Sequence, residues 1–194
     1  SPSAPRPVRP ADVLLDPTAH RAMVGLFAVS GFAALTFQGA WVRLFGLILG
    51  SSVYSFAGVL GLYLLGLALG SALVANHLRR MSTLRGFAML QLGIAASAAL
   101  GLLMFQRLPQ QMFDLGKAVG ADWAMLVMAQ LALVAEVLFV PCVLLGAVFP
   151  VATRLLQRQD GGHAAGTAYA INTVGTIAGS LVAGFFLIPG LGVQ

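Results

Sequence analysis

Charge is what this sequence has least of. Only 9% of its 194 residues are charged, against about 25% in an ordinary soluble domain. Hydrophobic residues make up 59%, and the mean hydropathy is +0.91. So few polar side chains cannot cover a water-facing surface, which excludes a soluble catalytic domain. Cysteine is nearly absent: Cys142 stands alone, so an intrachain disulfide and a cysteine-based metal site are both excluded. His20, His77 and His163 lie in the tail or in loops without a second ligand at metal spacing. P-loop, dinucleotide and Ser/His/Asp signatures are missing. Asp160-Gly161-Gly162-His163 reads as a turn, because no strand precedes it. The sequence therefore implies no cofactor and no metal. Nucleic acid is not implied either. The net charge is +5, but the basic residues are scattered singly between apolar runs, with no patch carrying interleaved aromatics.

What the sequence does have is five long apolar stretches, at about 23–49, 53–75, 84–105, 123–151 and 165–191. Roughly 20 apolar residues cross the ~30 Å hydrocarbon core as a helix, so each stretch is long enough. The expected fold is all-α, a polytopic transmembrane helix bundle of about five spans (residues 21–194) behind a proline-rich tail (1–20). The tail has no apolar core after a basic start, so it does not read as a cleavable signal peptide. The first residue is Ser1, which fits a processed or partly covered polypeptide. The first and fourth stretches exceed one perpendicular span, an excess that tilt, a kink at Pro141 or an interfacial continuation after Trp41 would absorb.

Basic residues set the expected orientation. Arg6, Arg9, Arg21, Arg79, Arg80, Arg85, Arg154 and Arg158 fall on one side, and only Arg43, Arg107 and Lys117 on the other. Eight against three places the N-terminus in the cytoplasm. Trp41 and Trp123 then sit at the outer interface, with Arg43 near them as a snorkelling side chain. In the 106–122 connection, Leu108, Met112, Leu115 and Val119 recur at helical spacing behind Pro109, which predicts a short helix on the outer membrane surface.

Glycine is abundant, at 23 residues. Gly66 and Gly70 in the second span, and Gly175, Gly179 and Ala183 in the fifth, are spaced by four. Small residues at that spacing let helix backbones approach inside lipid, so these two spans are expected to carry packing faces. Glu136 is the one acidic residue well inside a span. At 1.5 Å per residue it lies about 20 Å below Trp123, and Ser30, Gln91 and Asn172 lie about 10 Å above the inner boundary. These depths suggest one polar layer, with Glu136 buried between helices near Gln91 and Asn172. Three roles stay open for it: a proton, cation or polar-substrate site; a hydrogen-bonded clasp between helices; or a contact to a missing domain or partner.

Residues 30–71 (SGFAALTFQGAWVRLFGLILGSSVYSFAGVLGLYLLGLALGS), 144–150 (LLGAVFP) and 166–192, with their Tyr169, Asn172, Thr173 and Gly175 pattern, resemble the membrane region of bacterial spermidine synthase-like proteins. In that family membrane helices precede an aminopropyltransferase-like domain. More distantly, the layout is similar to the first helices of major-facilitator transporters. Phe37-Gln38 stands where family members often carry Tyr-Glu, and no aminopropyltransferase domain or acidic polyamine pocket is present in these residues. The resemblance implies a membrane domain that is non-catalytic by itself, anchoring or serving an aminopropyltransferase-like domain beyond Gln194 or a larger membrane complex. Two alternatives are a transporter-like half moving a small polar or cationic solute, and an accessory structural subunit. The expected partners are the lipid bilayer and other membrane helices, as a homo-oligomer or within a complex. The expected location is a bacterial inner membrane.

Overall fold

The computed structural model describes residues 17–49, 53–75, 83–120, 122–160 and 163–190. Most of the proline-rich tail, His77, Arg79, Arg80, the Gly161-Gly162 turn and the end of the chain at Gln194 lie outside the described residues. The described chain is helical, with no strand. Helix α1 spans Pro17–Leu49 and α2 Val53–Ala75. Helix α3, Leu84–Phe105, starts on Thr83, whose Oγ1 accepts the Gly86 N–H at 3.0 Å and satisfies one of the first turn's orphan donors. Helix α4, Leu108–Val119, has Pro109 in its first turn and stops at Gly120. Asp122 then caps α5, Trp123–Asp160, by accepting the Met125 N–H at 3.1 Å. Helix α6, His163–Val182, runs through a π-helical turn, Ala183–Leu187, into the short α-helical end Ile188–Gly190.

Five of these helices are long and apolar enough to cross a membrane. Their outward faces carry large apolar side chains such as Leu64, Leu92, Leu103, Met128 and Phe185, a surface that matches lipid and not water. The chain is an integral membrane protein. Helix α5 is 38 residues long, roughly 57 Å, and therefore extends beyond the hydrocarbon. Pro141 and Pro150 lie within it without ending it, which neighbouring helices in a bundle make tolerable.

Lipid gives little hydrophobic drive between helices, so close packing over small residues has to hold them together. Two helix pairs do this. Helix α2 lies on α5: a Cβ on Gly66 would crowd Cys142, one on Gly70 would land on the Val143 carbonyl, and one on Gly146 would strike the Leu67 backbone. Helix α1 lies on α6: Gly175 sits against the Ala28 carbonyl, Gly179 against the Phe32 carbonyl, and Gly31 against Asn172. Thr36 Oγ1 adds a hydrogen bond to the Gly179 carbonyl at 3.2 Å. Helix α3 packs on the opposite flank of α5 from α2.

Helix α4 turns its apolar side to this bundle. Leu108 is fully buried, and Met112, Leu115 and Val119 are half-buried. Phe113 points outward, with Lys117 Nζ 4.1 Å from its ring centroid.

Candidate functional site

Of the four polar residues singled out by depth, the structure brings two onto one cavity. Ser30 of α1 and Asn172 of α6 come together, at the place where Gly31 lets the two backbones touch. Gln91 is half-buried on α3 and does not line the space that Ser30 and Asn172 share. Glu136 is exposed on the outer surface of the bundle, which corrects its expected burial near Gln91 and Asn172. The rise along a helix fixes height; the angle around its axis is decided by packing, and residue 136 falls on the side of α5 that faces away from α1.

The two tryptophans also part ways. Trp123 is 62% exposed, its ring against that of Tyr54 at 5.8 Å, which ties the starts of α2 and α5 together. Trp41 is 4% exposed. Its ring lies inside the bundle among Phe37, Phe45 and Phe105, with centroids 5.4 to 5.6 Å away, so it packs helices together instead of facing outward. Arg43 is exposed beside it in sequence.

Ser30 and Asn172 open on a cavity of about 310 Å³ between α1, α2, α5 and α6. That is the lower end of the small-molecule range and has room for about ten waters at their liquid volume. Tyr63, Ser71 and Thr176 add three hydroxyls to its wall, and Phe27, Leu67, Leu145 and Phe149 supply apolar surface. Three of these groups are already committed to nearby carbonyls. Tyr63 donates to Ala34 at 3.5 Å, Ser71 to Ala68 at 3.2 Å and Thr176 to Thr173 at 2.8 Å.

Ser30 and Asn172 are different. Ser30 is only 6% exposed, yet neither side chain has a hydrogen-bond partner among the described residues. No enclosed side-chain nitrogen or oxygen is left unsatisfied there, so these polar atoms must be open to whatever fills the cavity. Pro150 contributes as well. It has no N–H to give to the Gly146 carbonyl, and both residues line the cavity. A proline inside an apolar span is a readable signal of a freed carbonyl; Tyr63, Ser71 and Thr176 carry no comparable mark in the sequence.

No lining residue is charged. The cavity therefore offers hydrogen-bond donors and acceptors without an ion-pairing group. Among the described residues no cluster of His, Cys, Asp and Glu is arranged to hold a metal ion. Comparison of the chain with models of protein families, with curated protein sequences and with solved structures finds no match.

Proposed function

We propose that this chain is a non-catalytic membrane module that binds a small, uncharged, hydrogen-bonding solute between α1, α2, α5 and α6, in the manner of one half of a transporter. The observation that carries this is the pairing of buried Ser30 with Asn172 on a shared cavity, both with unused hydrogen-bonding capacity. Their polar atoms are open to the cavity, where an occupant can accept and donate hydrogen bonds among largely apolar walls. A polyamine fits less well there, since a multiply charged cation would lose its water without a carboxylate to replace it.

The segments that resemble spermidine synthase-like membrane regions also build this cavity. Five residues of 144–150 line it, namely Leu145, Gly146, Val148, Phe149 and Pro150, and Asn172 comes from 166–192. On the resemblance of these segments alone, we read the chain as the membrane domain of such a protein, in a bacterial inner membrane, serving an attached or associated aminopropyltransferase-like domain. The intact mass of the native polypeptide tests the attachment.

The cavity reading is tested in proteoliposomes with radiolabelled glycerol, urea and spermidine. The neutral probes should be retained or taken up, with Asn172→Leu lowering the signal at least tenfold and Ser30→Ala several-fold, while spermidine is not retained. Spermidine retention that survives Asn172→Leu, or neutral-probe signals unchanged by both substitutions, would refute it.

A further inference from the structure

The walls of the Ser30–Asn172 cavity hold more hydrogen-bond acceptors than donors. A hydroxyl has one proton and two lone pairs. Tyr63 gives its proton to the Ala34 carbonyl, Ser71 to Ala68 and Thr176 to Thr173, so these three residues offer the cavity lone pairs only. An occupant that took one of those protons would have to break a bond already made, whereas one that gave a proton would add a bond. The Gly146 carbonyl is a further acceptor on the wall, since Pro150 has no N–H to give it.

Donors are scarce, and Asn172 and Ser30 supply them. A Cβ on Gly31 would lie 2.6 Å from the Asn172 backbone oxygen, 2.7 Å from Oδ1 and 3.2 Å from Cγ. The side-chain amide oxygen therefore rests against the Gly31 Cα, whose C–H groups are weak donors and suit an oxygen, not an N–H. That leaves the two Nδ2 hydrogens for the cavity, at one place on its wall. Ser30 has no hydrogen-bond partner among the described residues, and its hydroxyl serves in either direction.

We propose, on the reading that this cavity binds a neutral solute, that it selects molecules in which one carbonyl oxygen is flanked by N–H groups, the urea and carboxamide class. The carbonyl oxygen accepts from Asn172 Nδ2, and the N–H groups donate to the hydroxyl oxygens and to the Gly146 carbonyl. A carbonyl compound without N–H leaves the wall's acceptors unpaired, and a site that hydrogen-bonds its ligand rejects the analogue that lacks the group. An ammonium or guanidinium ion also gives N–H groups, but it brings no oxygen for Asn172 and finds no carboxylate for its charge.

The test uses the full chain in proteoliposomes, with urea, acetamide and acetone competing against radiolabelled urea. The three share one planar shape and one carbonyl and differ in carrying four, two and no N–H donors. The half-inhibiting concentration should rise from urea to acetamide to acetone, by at least tenfold across the series. Thr176→Val and Tyr63→Phe, which each remove one acceptor, should each narrow the ratio of acetone to urea several-fold. Asn172→Leu should weaken all three alike, because each presents the same carbonyl. Equal inhibition by the three, or a ratio unchanged in both acceptor variants, overturns this selectivity while an effect of Asn172→Leu on urea leaves the cavity itself standing. If urea is not retained, or its retention ignores Asn172→Leu, the cavity reading fails and the selectivity falls with it.

Discussion

A Cβ atom on Gly70 would fall on the Val143 carbonyl, whereas one on Gly61, nine residues earlier on the same helix, would meet nothing within 4 Å. Both are glycines in an apolar span and look alike in the sequence. Gly70→Ala must push α2 away from α5, and overpacking of this kind costs about 1–3 kcal/mol. Gly61→Ala removes a poor helix former from an open position and should be neutral or stabilise by up to about 1 kcal/mol. Unfolding of the two variants in mixed micelles checks this: equal midpoints would mean that the α2–α5 contact is not made through Gly70. Thr36 belongs to the same scale. Its hydrogen bond to Gly179 joins α1 to α6, and Thr36→Val should cost about 0.6 kcal/mol, the usual size of such a bond between membrane helices.

Helix α5 touches α2, α3, α4, α6 and α1, so a change in its backbone reaches the whole bundle. Pro150 weakens it locally by denying Gly146 a helical partner. Pro150→Ala should therefore raise the unfolding free energy by up to about 3 kcal/mol, on the scale of interior prolines, and should weaken solute retention in the cavity several-fold. A variant that gains stability and keeps full retention would separate the Gly146 carbonyl from the site. Helix α4 depends on the residue that caps it in a different way. Gly120 has φ 65° and ψ −137°, a conformation that a side chain rarely adopts, so Gly120→Ala should cost about 1–3 kcal/mol. A lower thermal unfolding midpoint in detergent and faster proteolysis of the 106–122 connection are the expected signs.

For the whole molecule, the open question with a simple answer is which way it sits in the membrane. The basic residues predict that Arg85, exposed at the start of α3, faces the cytoplasm and that Lys117 on α4 faces outside. Cys142 is buried, so the native thiol gives little background. An impermeant maleimide added to intact cells should label Lys117→Cys and miss Arg85→Cys, and the opposite pattern would invert the orientation. The Ser30–Asn172 cavity lies toward the ends of the helices that bear Arg21, Arg85 and Arg154, so the same labelling decides which side it serves.

The amino-acid sequence by itself determined that the chain is an all-α membrane bundle with five spanning helices. Length and apolar content are local properties that lipid reads one helix at a time. It also determined how far along its own helix each polar residue stands, because rise per residue is constant along a helix. The angle around each helix axis is not local. It depends on which neighbour the helix packs against, and only the tertiary structure decided it. Packing turned Glu136 outward, drew Trp41 into an aromatic cluster, and brought Ser30 and Asn172, more than 140 positions apart in the chain, onto one cavity. The glycine rows were visible in the sequence as small residues spaced by four. That the α2 row meets α5 and the α6 row meets α1 followed from the bundle's order, since a backbone contact needs a partner that the spacing alone does not name.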